Sequence, residues 1–81
     1  MRLNQNFRVR KDTEEWMIYF QEEGPLEMPL VSALITELLR GNKTKGQLVI
    51  WVNALLPDVD AETEVSEMLR VYRDLNLLDE E

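Results

Sequence analysis

The chain has 81 residues, of which 44 % are hydrophobic, and a formal net charge of −7. That length allows one domain with one modest core, and the apolar content is typical of a globular chain and not of a disordered one. Because the sequence contains no cysteine and no histidine, it excludes disulfides, thiolate metal sites and imidazole-based catalysis. We therefore expect a binding protein and not an enzyme, with no cofactor and no metal.

The charge is spread unevenly along the chain. Residues 1–11 carry four bases and no acid, whereas residues 12–81 contain all 16 acids and five bases. A nucleic-acid partner requires a basic surface that displaces counterions, so this balance argues against nucleic acid. The N-terminal residues lack the apolar stretch of a signal peptide, and no run approaches the ~20 apolar residues of a membrane span. We expect a cytoplasmic protein that does not contact a membrane.

The first third of the chain, residues 1–28, predicts a small antiparallel β-meander of two or three strands. Apolar and basic residues alternate over residues 7–10, which is the period of a strand with one solvated face. A β-rich run follows at residues 16–20, after a turn. Residues 21–25 then break the chain, and residues 26–28 are a candidate for a third, very short strand.

The second predicted strand is apolar on both of its alternating faces. We expect Trp16, Ile18 and Phe20 to face the helices. Met17 and Tyr19 then lie on the opposite face of the sheet. They are either ordinary exposed side chains or a contact surface for a partner enzyme or for a second copy of the chain, which would make a homodimer.

The basic residues of the N-terminal segment are Arg2, Arg8, Arg10 and Lys11. Such a set usually forms a solvated strand face that protects the sheet edge from aggregation. The alternative is a docking patch for an acidic partner, with Arg8 and Arg10 as its candidate contacts.

Residues 29–78 predict three helices with short connections. Pro29 suits a first helical turn, and Gly41 with the following asparagine ends the first apolar repeat. Thr44 and Gln47 have the spacing of a capping box at the start of the second helix. Asp60 is a suitable N-cap for the third helix. Asn76 can take a left-handed terminal conformation, after which the chain folds back and ends in an acidic tail at 79–81.

Two apolar stripes mark the later helices. The stripe of the second helix lines one face and consists of Leu48, Trp51, Val52, Leu55 and Leu56. The stripe of the third helix consists of Val65, Met68, Leu69, Tyr72 and Leu75. Core packing is the simpler interpretation of the third stripe, because so small a domain needs nearly all its apolar side chains. If the third helix serves both the core and a binding groove, we expect Leu69 and Leu75 to point inward and Met68 and Tyr72 to lie at the rim of the groove.

These elements together predict one α+β domain over residues 1–81, in which a winged-helix-like cluster of three helices packs on a small sheet. The segment from Leu38 to Leu78 carries the pattern that suggests a family. It contains Leu38-Leu39-Arg40-Gly41-Asn42-Lys43-Thr44, a Val59-Asp60 pair before the last helix, and a close on Leu75-Asn76-Leu77-Leu78.

In that order and spacing, the chain resembles the PqqD-like family of small winged-helix proteins. Met28-Pro29-Leu30 departs from the family's usual Leu-Asn before the first helix, and Asn76 replaces a glycine. The resemblance implies a RiPP recognition element, a domain that binds the leader of a ribosomally synthesised precursor peptide. It implies that the domain presents this peptide to a modifying enzyme, such as a radical-SAM protein, a cyclase or a leader peptidase.

In that family the leader adds as a strand to the edge of the third strand, beside the last helix. Carried onto this sequence, the resemblance implies an edge at Leu26, Glu27 and Met28, and a groove lined by some of Val65, Met68, Leu69 and Tyr72. Strand addition supplies generic affinity through backbone hydrogen bonds, and apolar pockets add specificity. The acidic surface favours a leader rich in lysine or arginine.

Other functions remain open at the level of the sequence. The same order of helices suits a winged-helix DNA-binding regulator, although the presumed recognition helix at residues 61–75 is mostly acidic. The chain also suits an adaptor or interaction subunit of a larger complex. An acyl carrier protein is disfavoured, because neither Ser32 nor Ser66 lies in an Asp-Ser-Leu setting.

Overall fold

The computed structural model describes residues 1–22 and 24–80. It contains a three-stranded antiparallel sheet followed by three helices, which confirms the predicted α+β class. A second, two-stranded ribbon joins the beginning and end of the chain. The elements are β1 (Arg2–Leu3), β2 (Phe7–Asp12), β3 (Glu15–Phe20), β4 (Leu26–Met28), α1 (Leu30–Leu38), α2 (Lys45–Leu55), α3 (Ala61–Asp74) and β5 (Leu78–Asp79).

The sheet has the order β2-β3-β4, so that β3 is central and both neighbours are edge strands. Phe7 lies opposite Phe20 on β3, and Leu26 lies opposite Ile18. The inner face of β3 carries Trp16, Ile18 and Phe20, which belong to the core or pack against it, as predicted. The tight turn between β2 and β3 places Thr13 in a left-handed conformation, with a φ of 57°.

The helix boundaries follow the predicted caps. The Thr44 hydroxyl accepts the Gln47 N–H at 3.1 Å while the Gln47 side chain accepts the Thr44 N–H at 2.9 Å, so the capping box is confirmed. Asp60 accepts the Thr63 N–H at 3.3 Å at the start of α3. Asn76 has a φ of 58°, which confirms its left-handed position after α3.

Tyr72 is the largest fully buried side chain. Its ring meets the edge of Phe20 with centroids 5.8 Å apart. Its hydroxyl is hydrogen-bonded to Thr36 of α1, and Thr36 in turn donates to the Ser32 carbonyl at 2.7 Å. The Tyr72 hydroxyl also lies 3.7 Å from the sulfur of Met28. One side chain of α3 therefore connects α1, β3 and β4.

Several placements expected from the helical stripes are wrong. Met68 and Tyr72 do not lie at a groove rim, because their exposed fractions are 7 % and 0 %. Leu75, expected to point inward, is exposed, since α3 ends at Asp74 and the chain turns away there. The stripe of α2 does not form one face: Leu48 and Val52 occupy the side that faces α3 and α1, whereas Trp51 and Leu55 lie on the outer side.

The two-stranded ribbon was not predicted. Arg2 lies opposite Asp79, and the Asn4 N–H donates to the Leu77 carbonyl at 2.9 Å. The expected acidic tail is thus partly structured: Asp79 belongs to β5, and Glu80 forms an ion pair of 2.8 Å with Arg73. The predicted break at residues 21–25 and the tail at 79–81 include Glu23 and Glu81, which lie outside the described residues.

Candidate functional site

The two edges of the main sheet offer different backbone groups to a partner. In an antiparallel sheet, hydrogen-bonded and non-hydrogen-bonded residue pairs alternate along two neighbouring strands. The Gln21 N–H donates to the Asn6 carbonyl at 3.1 Å, and these two residues lie directly opposite each other in the register of β2 and β3. Even-numbered residues of β2 therefore bond to β3, and odd-numbered residues direct their backbone groups outward.

The same alternation determines the free edge of β4. Trp16 and Ile18 of β3 direct their backbone groups to Met28 and Leu26, so within β4 only Glu27 points outward. The residues that flank the strand in the same outward phase are Pro25 and Pro29, neither of which has an N–H. The sequence-predicted edge thus offers a single N–H donor, which is a common way of blocking an exposed edge.

The edge of β2 is longer and less obstructed. Phe7, Val9 and Lys11 direct their backbone groups away from β3. The Arg40 guanidinium donates to the Phe7 carbonyl at 3.1 Å and so occupies one end of this edge. Within the described residues, no hydrogen bond reaches the outward groups of Val9 or Lys11. Two consecutive outward positions of β2 are therefore available to an added strand.

An apolar groove runs beside this edge, where the layer between the sheet and α1 opens toward β2. Its volume is about 390 Å³, and its lining residues are Arg8, Val9, Trp16, Leu30, Ala33, Leu34, Glu37 and Arg40. Five of these residues are apolar and three are charged. Leu30 at the mouth is 49 % exposed although it is aliphatic. An edge with free backbone groups next to an apolar groove is the geometry that extended peptides use for strand addition.

Arg40 fixes one end of the groove. Its guanidinium binds both carboxylate oxygens of Glu37, at 2.8 and 2.9 Å, and stacks 4.2 Å from the centroid of the Phe7 ring. The hydrogen bond from Arg40 lowers the pKa of Glu37, and the same bond raises the pKa of Arg40. Both groups are therefore held in their charged forms at the groove wall.

The edge of β4 lies beside a different, acidic hollow of about 380 Å³. It is lined by Glu14, Glu15, Trp16, Glu27, Met28, Pro29 and Leu30. The negative charge of Glu27, together with a hydrogen bond between the two side chains, raises the pKa of Glu15. Two carboxyl groups held this close favour a cation nearby. Within residues 1–22 and 24–80, however, no group of three or more acidic side chains is arranged to hold a metal ion.

The structure buries most of the residues that the sequence placed in one peptide site. Val65, Met68, Leu69 and Tyr72 of α3 are buried in the core. Met28 is also buried, and its backbone points toward β3, so that it is not an edge donor. Leu26 is half-buried and Glu27 is exposed.

The predicted partner contacts do share one surface. Arg8 lies opposite Tyr19, and Arg10 lies opposite Met17, on the outer face of the sheet. The Arg8 guanidinium is 6.0 Å from the centroid of the Tyr19 ring, and both Met17 and Tyr19 are half-buried.

The groove residues on α1 were missed by sequence reasoning. Leu34 belongs to the apolar repeat of α1, which predicts a helix and no more, and no pattern in the sequence assigns a role in peptide binding to Glu37 or Arg40. The available signal was the position of Leu30, since an aliphatic residue directly after Pro29 extends the apolar side of α1 beyond the core.

No protein-family model matches the chain, and neither a curated protein nor a solved structure is found to be similar to it. The comparisons therefore assign neither a family nor a function to the chain. Across residues 1–22 and 24–80, every helix is too short or too polar to cross a bilayer.

Proposed function

We propose that the chain is a non-catalytic peptide-binding module. It recognises an extended segment, the leader of a ribosomally synthesised precursor peptide, and presents that peptide to a modifying enzyme. The observation that carries the proposal is the open edge of β2, with outward groups at Val9 and Lys11, beside the apolar groove against α1.

An added strand on β2 would pair with the N–H and C=O groups of Val9 and Lys11. Alternate side chains of that strand would then point toward α1 and fill the groove at Leu30 and Leu34. The Arg40 guanidinium on the Phe7 carbonyl limits how far the added strand extends. Backbone pairing gives affinity, and the groove selects apolar side chains at every second position.

The charge around the groove changes the expected peptide. Arg8, Arg10 and Lys11 lie on β2 itself, so this edge is basic although the chain is acidic. A segment that alternates acidic and apolar residues fits it better than the lysine-rich or arginine-rich leader that the net charge suggested. A basic flank of the same peptide could still reach the acidic hollow at Glu15 and Glu27.

The test is calorimetric titration of the purified chain with the precursor peptide encoded beside its gene, and with the same peptide lacking its leader. We expect saturable binding of the full precursor and none of the leaderless form. No saturable binding, or binding that survives removal of the leader, would contradict the proposal.

Two matched proline substitutions distinguish the edges. Val9→Pro removes an outward donor from β2, and Glu27→Pro removes the outward donor from β4, so neither breaks the ladder with β3. Loss of one or two edge hydrogen bonds, at about 1 kcal/mol each, should weaken binding by about tenfold for Val9→Pro. Glu27→Pro should leave the affinity within about twofold. The opposite order would place the peptide on β4.

A further inference from the structure

The outer face of the three-stranded sheet carries its charges in a definite order. Arg10, Met17 and Glu27 form one row across β2, β3 and β4, because Met17 lies opposite both of the others in the register. Residues that lie directly opposite each other on neighbouring strands point to the same side of a sheet. This row therefore presents a base, an apolar side chain and an acid, in that order, on the side away from the helices.

The rest of the outer face continues this order. Arg8 lies opposite Tyr19, and its guanidinium is 6.0 Å from the centroid of that ring. Toward β4, the side chains of Glu15 and Glu27 are hydrogen-bonded to each other, and the negative charge of Glu27 raises the pKa of Glu15. Asp12 ends β2 at the turn. None of the ion pairs between described residues includes a charge of this face.

From this order of charges we infer that a second copy of the chain packs on the outer face of the sheet, about a two-fold axis parallel to the strands. A two-fold dimer uses the same patch on both copies, so the patch has to be complementary to itself. An axis parallel to β3 lays β2 of each copy over β4 of the other. Arg10 of each copy then faces Glu27 of the other, and Met17 faces its own counterpart.

The other simple arrangement is disfavoured by the same charges. An axis in the plane of the face but perpendicular to the strands lays β2 over β2 and β4 over β4. Arg10 would then face Arg10, and Glu27 would face Glu27 beside the carboxyl of Glu15, which already lies next to a like charge. Like charges placed opposite each other across an interface are repulsive. The charges of the face therefore favour the axis parallel to the strands.

The dimensions of the contact suit a weak dimer. Sheets packed face to face lie about 10 Å apart, with strand directions within about 30° of each other. Arginine and glutamate side chains can meet across that gap, while Met17 and Tyr19 occupy its centre. The six-residue strands β2 and β3 are about 20 Å long, so the contact buries less than the roughly 800 Å² per partner of a standard interface. We expect a reversible dimer with a dissociation constant on the order of 10–100 micromolar.

The dimer face is distinct from the proposed peptide site. A peptide added to β2 pairs with backbone groups at the free edge of that strand and places its side chains in the groove toward α1, on the other side of the sheet. Dimer formation therefore requires no peptide. Either property can fail in an experiment without the other.

The test is sedimentation equilibrium of the full chain, without peptide, at concentrations up to the millimolar. The wild type should move from monomer to dimer. Arg10→Glu and Glu27→Arg should each weaken the dimer by at least about tenfold, because each places like charges opposite each other at two symmetric positions. The double variant Arg10→Glu/Glu27→Arg exchanges the charges and should recover most of the wild-type affinity.

Lys11→Glu is the matched control for Arg10→Glu. It makes the same change of charge on the same strand, but Lys11 lies opposite Trp16, 5.9 Å from its ring, on the inner side of the sheet. It should leave the dissociation constant of the dimer unchanged. Arg10 and Glu27 are exposed, so we expect their variants to be folded by circular dichroism. If one of the two is unfolded, the other decides the test.

A mixture of the single variants tests contact between copies. Chains with Arg10→Glu and chains with Glu27→Arg should combine into a mixed dimer, because each introduced charge then faces an opposite charge. Repulsion between acidic chains predicts otherwise, since Glu27→Arg reduces the net negative charge and would strengthen the dimer. A monomeric wild type, a dimer that survives both single substitutions, or equal loss in Lys11→Glu would overturn the inference. A double variant that fails to recover would overturn the axis parallel to the strands.

Discussion

Helices α2 and α3 differ in how their apolar residues are used. In α3 a charged outer side faces solvent, and the apolar stripe from Val65 to Tyr72 is buried. In α2 only Leu48 and Val52 are buried, while Ile50, Trp51 and Leu55 face outward. The difference teaches that α3 uses most of its apolar side chains to stabilise the fold, whereas about half of the apolar side chains of α2 are exposed.

The largest expected effect contrasts the two helices directly. Tyr72→Ala should lower the free energy of unfolding by about 3–5 kcal/mol, because it removes a fully buried ring that contacts Phe20 and Met28. Trp51→Ala should cost no more than about 1 kcal/mol in the monomer. Urea denaturation measures both losses. Similar losses of unfolding free energy in the two variants would contradict the proposed difference between α2 and α3.

Alkaline pH tests the buried tyrosine without removing its ring. Burial raises the pKa of Tyr72 from 10.0 to about 12. Because burial favours the neutral phenol, Tyr72 makes its full contribution to the free energy of unfolding below pH 10. That contribution is lost as the pH rises through 12. The loss should approach about 3 kcal/mol. Unfolding curves from pH 8 to 12 for the wild type and Tyr72→Phe should diverge above pH 10, since other titrating groups are common to both. Parallel curves would contradict the pKa.

The hydrogen bond between Thr36 and Tyr72 should matter less than the ring. Since Thr36 donates to the Ser32 carbonyl, the Tyr72 hydroxyl is the donor to Thr36. Thr36→Val leaves that buried hydroxyl only the Met28 sulfur, 3.7 Å away, as a weak acceptor, at a cost of up to about 2 kcal/mol. In a double-mutant cycle, Thr36→Val with Tyr72→Phe should cost less than the sum of the single variants. Additive losses would show that the two groups are not coupled.

The smallest expected effect concerns the helix starts. Thr44→Ala breaks the capping box of α2, and Asp60→Ala removes the cap of α3; each should cost about 1 kcal/mol. Asp60→Asn keeps the acceptor and should cost only a few tenths of a kcal/mol. Thermal unfolding monitored by circular dichroism compares the three variants. A negligible effect of Thr44→Ala would show that tertiary packing alone maintains the start of α2.

Local signals in the sequence were sufficient for most of the fold. The alternation on β2, the Thr44 capping box and the left-handed Asn76 depend on neighbouring residues only, and the structure contains all of them. The orientation of α2 was beyond such reasoning, because Leu48, Val52 and the outer residues are equally apolar. Only packing against α3 and α1 determines which side is covered.

The candidate site required knowledge of the sheet register. Whether Glu27 or Met28 directs its N–H outward depends on which residue of β3 lies opposite, and no local pattern contains that information. The sequence places Pro25 in the break after the second strand and Pro29 at the first turn of α1. Only the register shows that both prolines lie at outward-facing positions flanking β4, where neither can donate an N–H. For that reason we propose the edge of β2, and not that of β4, as the peptide site.

The ribbon of β1 and β5 has a consequence for the topology of the chain. Arg2 and Asp79 are paired, so the two ends of the described chain lie side by side. A short linker could join them, and new termini could be opened in the exposed turn at Thr13 and Glu14. In such a circular permutant the pairing of β1 with β5 becomes local. The entropy of closing almost the whole chain into a loop would then no longer oppose that contact during folding.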